Sequence, residues 1–208
     1  MGGLIAVVLT VPFASAYFIA YSVDGEAPPG WLHSLEPGLG SLLTFAAPET
    51  VYTLYGKVFN LVYLLILPAV FGLHHLHRGA NSPREMRAFR VLVGGLIATC
   101  IGVAGDYWAD GMGFPIEVLG LLAVIAGTTL YGVATLRAGV LPPWSSWLLV
   151  AGGPGAFVGM ALFGHIPSGP TLLFAASWLA VGVLLSTHTW LEACVPPTTQ
   201  PASGAERQ

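Results

Sequence analysis

Charge is what this sequence has least of. Only 8% of its 208 residues are Asp, Glu, Lys or Arg, against 55% hydrophobic, and mean hydropathy is +0.76. So few charged groups do not cover the surface of a water-soluble domain of this size. They suit helices embedded in lipid, where Gly and Pro are also tolerated. The formal net charge of −3, with no basic face interleaved with aromatics, excludes a nucleic-acid partner. Cysteine is scarce too: Cys100 falls inside an apolar run and Cys194 beyond the last one, so the pair is no disulfide framework. Also missing are G-x-S-x-G, H-E-x-x-H, C-x-x-C and G-x-x-x-x-G-K-[ST], and with them serine-hydrolase, zinc-protease, dithiol and P-loop chemistry. No cofactor is expected.

What the chain does have is apolar runs long enough to cross the roughly 30 Å hydrocarbon core, which takes about 20 helical residues. Residues 4–23, 48–77, 83–110, 115–136, 143–163 and 170–190 predict six transmembrane helices of an all-α integral membrane protein. Ala14-Ser15-Ala16 has the form of a signal-peptidase site, but no basic segment precedes it and the apolar run continues past it, so a spanning helix is expected. Pro48, Pro83, Pro115 and Pro143 suit first helical turns, and Glu49, Glu85 and Glu117 follow where the helix dipole favours an anion. Ser82-Pro83-Arg84-Glu85 has the form of a capping box. Gly94-Gly95, Thr99 and Gly102 should let helices approach closely, and Gly120, Gly127, Thr128 and Gly132 lie along the next span. Gly152-Gly153-Pro154-Gly155 should kink or interrupt the fifth helix. Residues 24–47 carry too many apolar side chains for a solvated loop, and a short interfacial or re-entrant helix with Trp31 at headgroup level is expected there. Residues 1–194 read as one transmembrane domain and 195–208 as a disordered cytoplasmic tail.

Sidedness follows from the arginines. Six alternating spans gather Arg78, Arg84, Arg87, Arg90, Arg137 and Arg207 on one side, six of the seven basic residues. The positive-inside rule makes that side the cytoplasm, giving an N-in, C-in protein of the inner membrane with a long external loop between helices 1 and 2. Asp24, Glu26, Glu36, Glu49, Asp106, Asp110 and Glu117 then collect on the opposite side.

Lys57 is the basic residue that this topology leaves out. It lies 17 residues from His74, and Asp106 lies 16 from Arg90, so both stand at a depth of roughly 25 Å from the cytoplasmic side. A charge at that depth needs a partner or a route to the interface. The expectation is an ion pair between Lys57 and Asp106, with Asn60, Asp110, Glu117 and His165 around it. The competing expectation is that Lys57 snorkels outward while Asp106 and Asp110 only end their helix. A ring of carboxylates around one ammonium points to a site for a small or lipophilic ligand, bound or transported. It also fits an intramembrane enzyme in which Asp106 or Glu117 is the acid on a lipid or isoprenoid substrate. A scaffold subunit with no site is the third reading. Tyr52, Tyr107 and Trp108 either stack on a ligand or belong to the interfacial belt.

His74, His77 and His188 fall near the opposite ends of their helices. A metal or haem between helices is geometrically allowed there, but histidines beside arginines more often form a basic patch on anionic lipid, and no metal is expected. Ser168, in Pro167-Ser168-Gly169-Pro170, reads as a turn residue rather than a nucleophile. The expected partners are the lipid bilayer and a small lipophilic ligand, and a homo-oligomer is compatible with the sequence.

Overall fold

The computed structural model describes residues 1–21, 28–77, 83–109 and 111–187. Six of its helices are long and apolar enough to cross a membrane: α1 (Gly2–Tyr21), α4 (Pro48–His77), α5 (Pro83–Trp108), α6 (Phe114–Ala138), α7 (Pro143–Phe163) and α8 (Ser168–Thr187). Two short helices, α2 (Gly30–Leu35) and α3 (Gly40–Leu43), flank a 3₁₀ turn between α1 and α4. No strand occurs among the described residues. The proline rule held at α6 and α7, where proline occupies the first turn. Ser82, the capping residue expected for α5, lies outside the described residues, as do Asp110, His188 and the tail 195–208.

The long helices pack as a closed ring in chain order, α1 beside α4, then α5, α6, α7 and α8, which returns to α1 while also touching α4. The exterior is apolar as well as the interior. Thr10, Ser15, Thr99, Thr128, Thr135 and Thr171 are buried, while Leu61, Leu64, Ile101, Leu119, Leu130 and Phe157 are exposed, as lipid would have them. Most of the buried hydroxyls find partners along and between helices, Ser15, Tyr131 and Ser146 being exceptions. Thr10 and Thr99 donate to the carbonyls one turn back, Tyr63 and Thr171 join α4 to α8 at 2.7 Å, and Trp178 donates to Thr128 at 3.3 Å.

The tightest contact is the α5–α6 seam. Gly95 and Gly102 face α6, while Gly113, Gly120 and Gly127 face α5, and a step of seven residues keeps each set on one side of its helix. A Cβ on Gly95 would lie 2.7 Å from the Val124 nitrogen, and one on Gly127 would lie 2.6 Å from the Leu92 Cα. Nothing larger than hydrogen fits, so the two backbones touch. The seam sets the backbone of Glu117 against Gly102, and that of Gly113 against Asp106.

The interruption expected in the fifth span is absent, because α7 runs unbroken from Pro143 to Phe163. The bulk-free Gly152 and Gly153 face α8 and α6, where Ser177 and Thr129 fill the space beside them, and Pro154 points its ring away from the bundle. Neighbouring helices thus hold the segment straight enough to stay helical.

The stretch from Pro29 to Leu43 forms a strap across one end of the ring. Trp31 donates its indole N–H to the Leu162 carbonyl at 3.0 Å and meets Phe163 edge to face, and Leu32 is fully buried against Ala14, Phe18 and Phe163. At the far end of the strap, the Tyr55 hydroxyl donates to the Leu42 carbonyl at 2.8 Å.

Candidate functional site: an aromatic cavity at the strapped end

At the strapped end the ring borders an open cavity of about 760 Å³. Its wall is built from Tyr17 and Tyr21 of α1, Tyr52 and Thr53 of α4, Asp106 and Tyr107 of α5, Gly111 and Phe114 at the start of α6, and Met160, Gly164, His165 and Ile166 at the end of α7.

His165 is placed by a backbone turn. Gly164 ends α7 with φ +62, and its N–H bonds the Met160 carbonyl at 2.8 Å. That left-handed conformation suits glycine and turns the chain back over the bundle. The His165 ring is 3% exposed, stacked on Tyr17 at 4.7 Å and edge-on to Phe13 at 4.7 Å. Its Nδ1 shares a 2.7 Å hydrogen bond with Ser168, and its Nε2 stands 3.4 Å from the Tyr52 hydroxyl, which in turn bonds the Tyr107 hydroxyl at 2.8 Å. A polar chain therefore runs from α8 through the α7–α8 turn to α4 and α5. Burial pushes the His165 pKa down to about 3, so the imidazole is neutral at physiological pH. Asp106 is then the charged side chain on the cavity wall, and neither Lys nor Arg lines it.

Glu117 stands behind the wall. It lies in the first turn of α6, is 1% exposed, and neither carboxyl oxygen has a hydrogen-bond partner. Asp106, Tyr52 and Tyr107 are within electrostatic reach of it. A buried carboxyl without donors is costly in a protein interior, and still more so at membrane depth.

Of the residues singled out in the sequence, the structure brings Asp106 and His165 to the cavity and sets Glu117 next to it. Lys57 is turned elsewhere. It is exposed, its ammonium lies 5.7 Å over the Trp108 ring, and it lines a shallow depression with Glu49, Thr50, Thr53 and Leu54. The expected ion pair with Asp106 does not form, since Lys57 turns to Trp108 and Asp106 to the cavity wall. Asn60 lies deeper in α4, half-buried beside Cys100. Tyr52 and Tyr107 belong to the cavity, whereas Trp108 is 68% exposed. Ser168 proves to be more than a turn residue, because it is buried and bonds His165.

Sequence reasoning missed Phe13, Tyr17 and Tyr21. Their spacing of four residues is a legible signal, since it lines three aromatic rings along one face of α1.

At the other end, His74 shares a 2.8 Å hydrogen bond with Glu85 and stacks on Phe89, while the buried His77 packs near Tyr131. No group of three or more His, Cys, Asp or Glu placed for a metal occurs among the described residues. Compared with protein-family models, with curated proteins and with solved structures, the chain matches none of them.

Proposed function

We propose that this chain is a six-span inner-membrane protein with both termini in the cytoplasm, and that its aromatic cavity opens on the outer side to bind or transport a small or lipophilic ligand. The observation that carries this reading is the cavity itself. Its volume of about 760 Å³ is that of a small-molecule site, and its wall draws hydroxyls, a neutral imidazole and one carboxylate from several helices of an otherwise apolar bundle. The arginine distribution supports the orientation.

The binding test uses the purified protein in dodecyl maltoside, screened against small ligands by thermal stabilisation. Any ligand that raises the melting temperature of the wild type should raise it less in Asp106→Asn and Tyr52→Phe. Binders indifferent to both substitutions remove the cavity from consideration. Orientation is tested by single cysteines at Ser34 and His75 in a background without Cys100 and Cys194. An impermeant maleimide added to spheroplasts should label position 34 and reach position 75 only after lysis.

A second reading, an intramembrane enzyme, draws on the same carboxyls. Asp106 would be its acid, since Glu117 does not reach the cavity wall. It ranks second because the wall offers no Arg or Lys to hold the diphosphate of an isoprenoid substrate.

A further inference from the structure

An apolar groove of about 100 Å³ runs between α6 and α7 on the lipid-facing side, walled by residues that include Leu122, Ile125 and Phe157. Leu122 and Phe157 are 47% and 59% exposed. The groove and the aromatic cavity have two wall residues in common, Met160 and Ile166. One space is polar and aromatic, the other wholly apolar, and these two residues border both. Methionine is unbranched and rotates readily, so Met160 is the border residue best able to yield.

The polar side has a definite chemical preference. Tyr21 meets Tyr52 at 5.3 Å, and Tyr52 meets Tyr107 at 5.3 Å, so the rings form a continuous aromatic wall. Aromatic walls of this kind attract ammonium groups through the ring quadrupole. Asp106 adds a negative charge, Glu117 sits behind it, and no basic side chain on the wall would welcome an anion.

We infer that the ligand is a single-chain amphiphile with an ammonium head, its head held among Tyr21, Tyr52, Tyr107 and Asp106 and its alkyl chain passing Met160 into the α6–α7 groove. This rests on the cavity being a binding site. It adds that the ligand reaches the cavity from the lipid side and that chain length contributes to affinity, by removing apolar surface from water.

The test is equilibrium dialysis of the purified protein in dodecyl maltoside, corrected for protein-free micelles, with decyltrimethylammonium, tetramethylammonium and decyl phosphate as probes. Decyltrimethylammonium should bind saturably and about tenfold or more tightly than tetramethylammonium, and decyl phosphate should not bind. Asp106→Asn should weaken both ammonium probes about tenfold. Val118→Trp, on the groove wall and off the cavity wall, should abolish the advantage of the long chain and leave tetramethylammonium unchanged. Leu122→Trp, also on the groove wall alone, gives the same reading should the first variant elute as an aggregate. Equal affinity for the long and short ammonium probes overturns the amphiphile while leaving the cavity as a site. Preference for decyl phosphate overturns the cationic head. Failure of all three probes overturns the inference, and the ligand screen then decides separately whether the cavity binds anything.

Discussion

The Tyr107 ring occupies the space that a side chain at position 56 would need, so Gly56 of α4 and Tyr107 of α5 are packed ring against backbone. That contact seats the Tyr107 hydroxyl 2.8 Å from Tyr52 and fixes one wall of the aromatic cavity. Gly56→Ala should therefore displace the ring and destabilise the protein by about 1–3 kcal/mol, the usual cost of overpacking a filled interior. Thermal unfolding in detergent measures it. An unchanged melting temperature would show that the ring is not held there.

The α5–α6 seam makes a sharper contrast. Gly127→Ala places a methyl 2.6 Å from the Leu92 Cα, whereas a methyl at Gly94 meets nothing within 4 Å. The first change should cost about 1–3 kcal/mol by overpacking. The second should be neutral or stabilising by up to about 1 kcal/mol through helix propensity. Equal effects at both positions would contradict backbone contact along the seam.

His165 links stability to pH. The unfolded chain takes up a proton on this residue near pH 6.5, while the buried ring refuses it until about pH 3. Between those values the unfolded state binds more protons, so the stabilising contribution is complete above about pH 6.5 and is lost as pH falls through that window. The slope of unfolding free energy against pH should be steeper in the wild type than in His165→Gln, by up to about 1.4 kcal/mol per pH unit. Parallel profiles would mean that the imidazole is not buried.

Glu117 should be dispensable for folding. Its carboxyl is buried with neither oxygen hydrogen-bonded, so Glu117→Met removes a desolvated polar group at little change in bulk. The expected gain is about 1–3 kcal/mol in detergent unfolding. A loss of stability instead would reveal partners that hold the carboxyl in place.

Depth along the bundle was legible in the sequence, and rotation about each helix was not. Apolar length placed the ends of α4 and α7 at residues 48, 77, 143 and 163, where the structure has them. The same counting set Lys57 and Asp106 at one level, yet one faces Trp108 and the other the cavity. Each residue turns its side chain by about 100°, and in a chain whose exterior is apolar too, hydrophobic periodicity is too weak to say which face is inward. The small residues of α5 and α6 largely escaped that ambiguity, because glycines seven apart mark a contact face, although Gly94, expected on it with Gly95, faces open space. His165 was found as a lone polar group at the right end of a span. Ser168 was passed over because a Pro-Ser-Gly-Pro sequence reports backbone geometry and not what its hydroxyl will meet.

Glycines repeating every seven residues also limit how the protein moves. Along such a zipper, a small sliding step drives Leu92 or Thr99 into the backbone opposite, and the next matching position lies about 10 Å away. The α5–α6 hairpin therefore travels as a rigid body. A movement of this hairpin that changes the room for a guest must come from tilting it against α4 or against α7, and not from sliding within it.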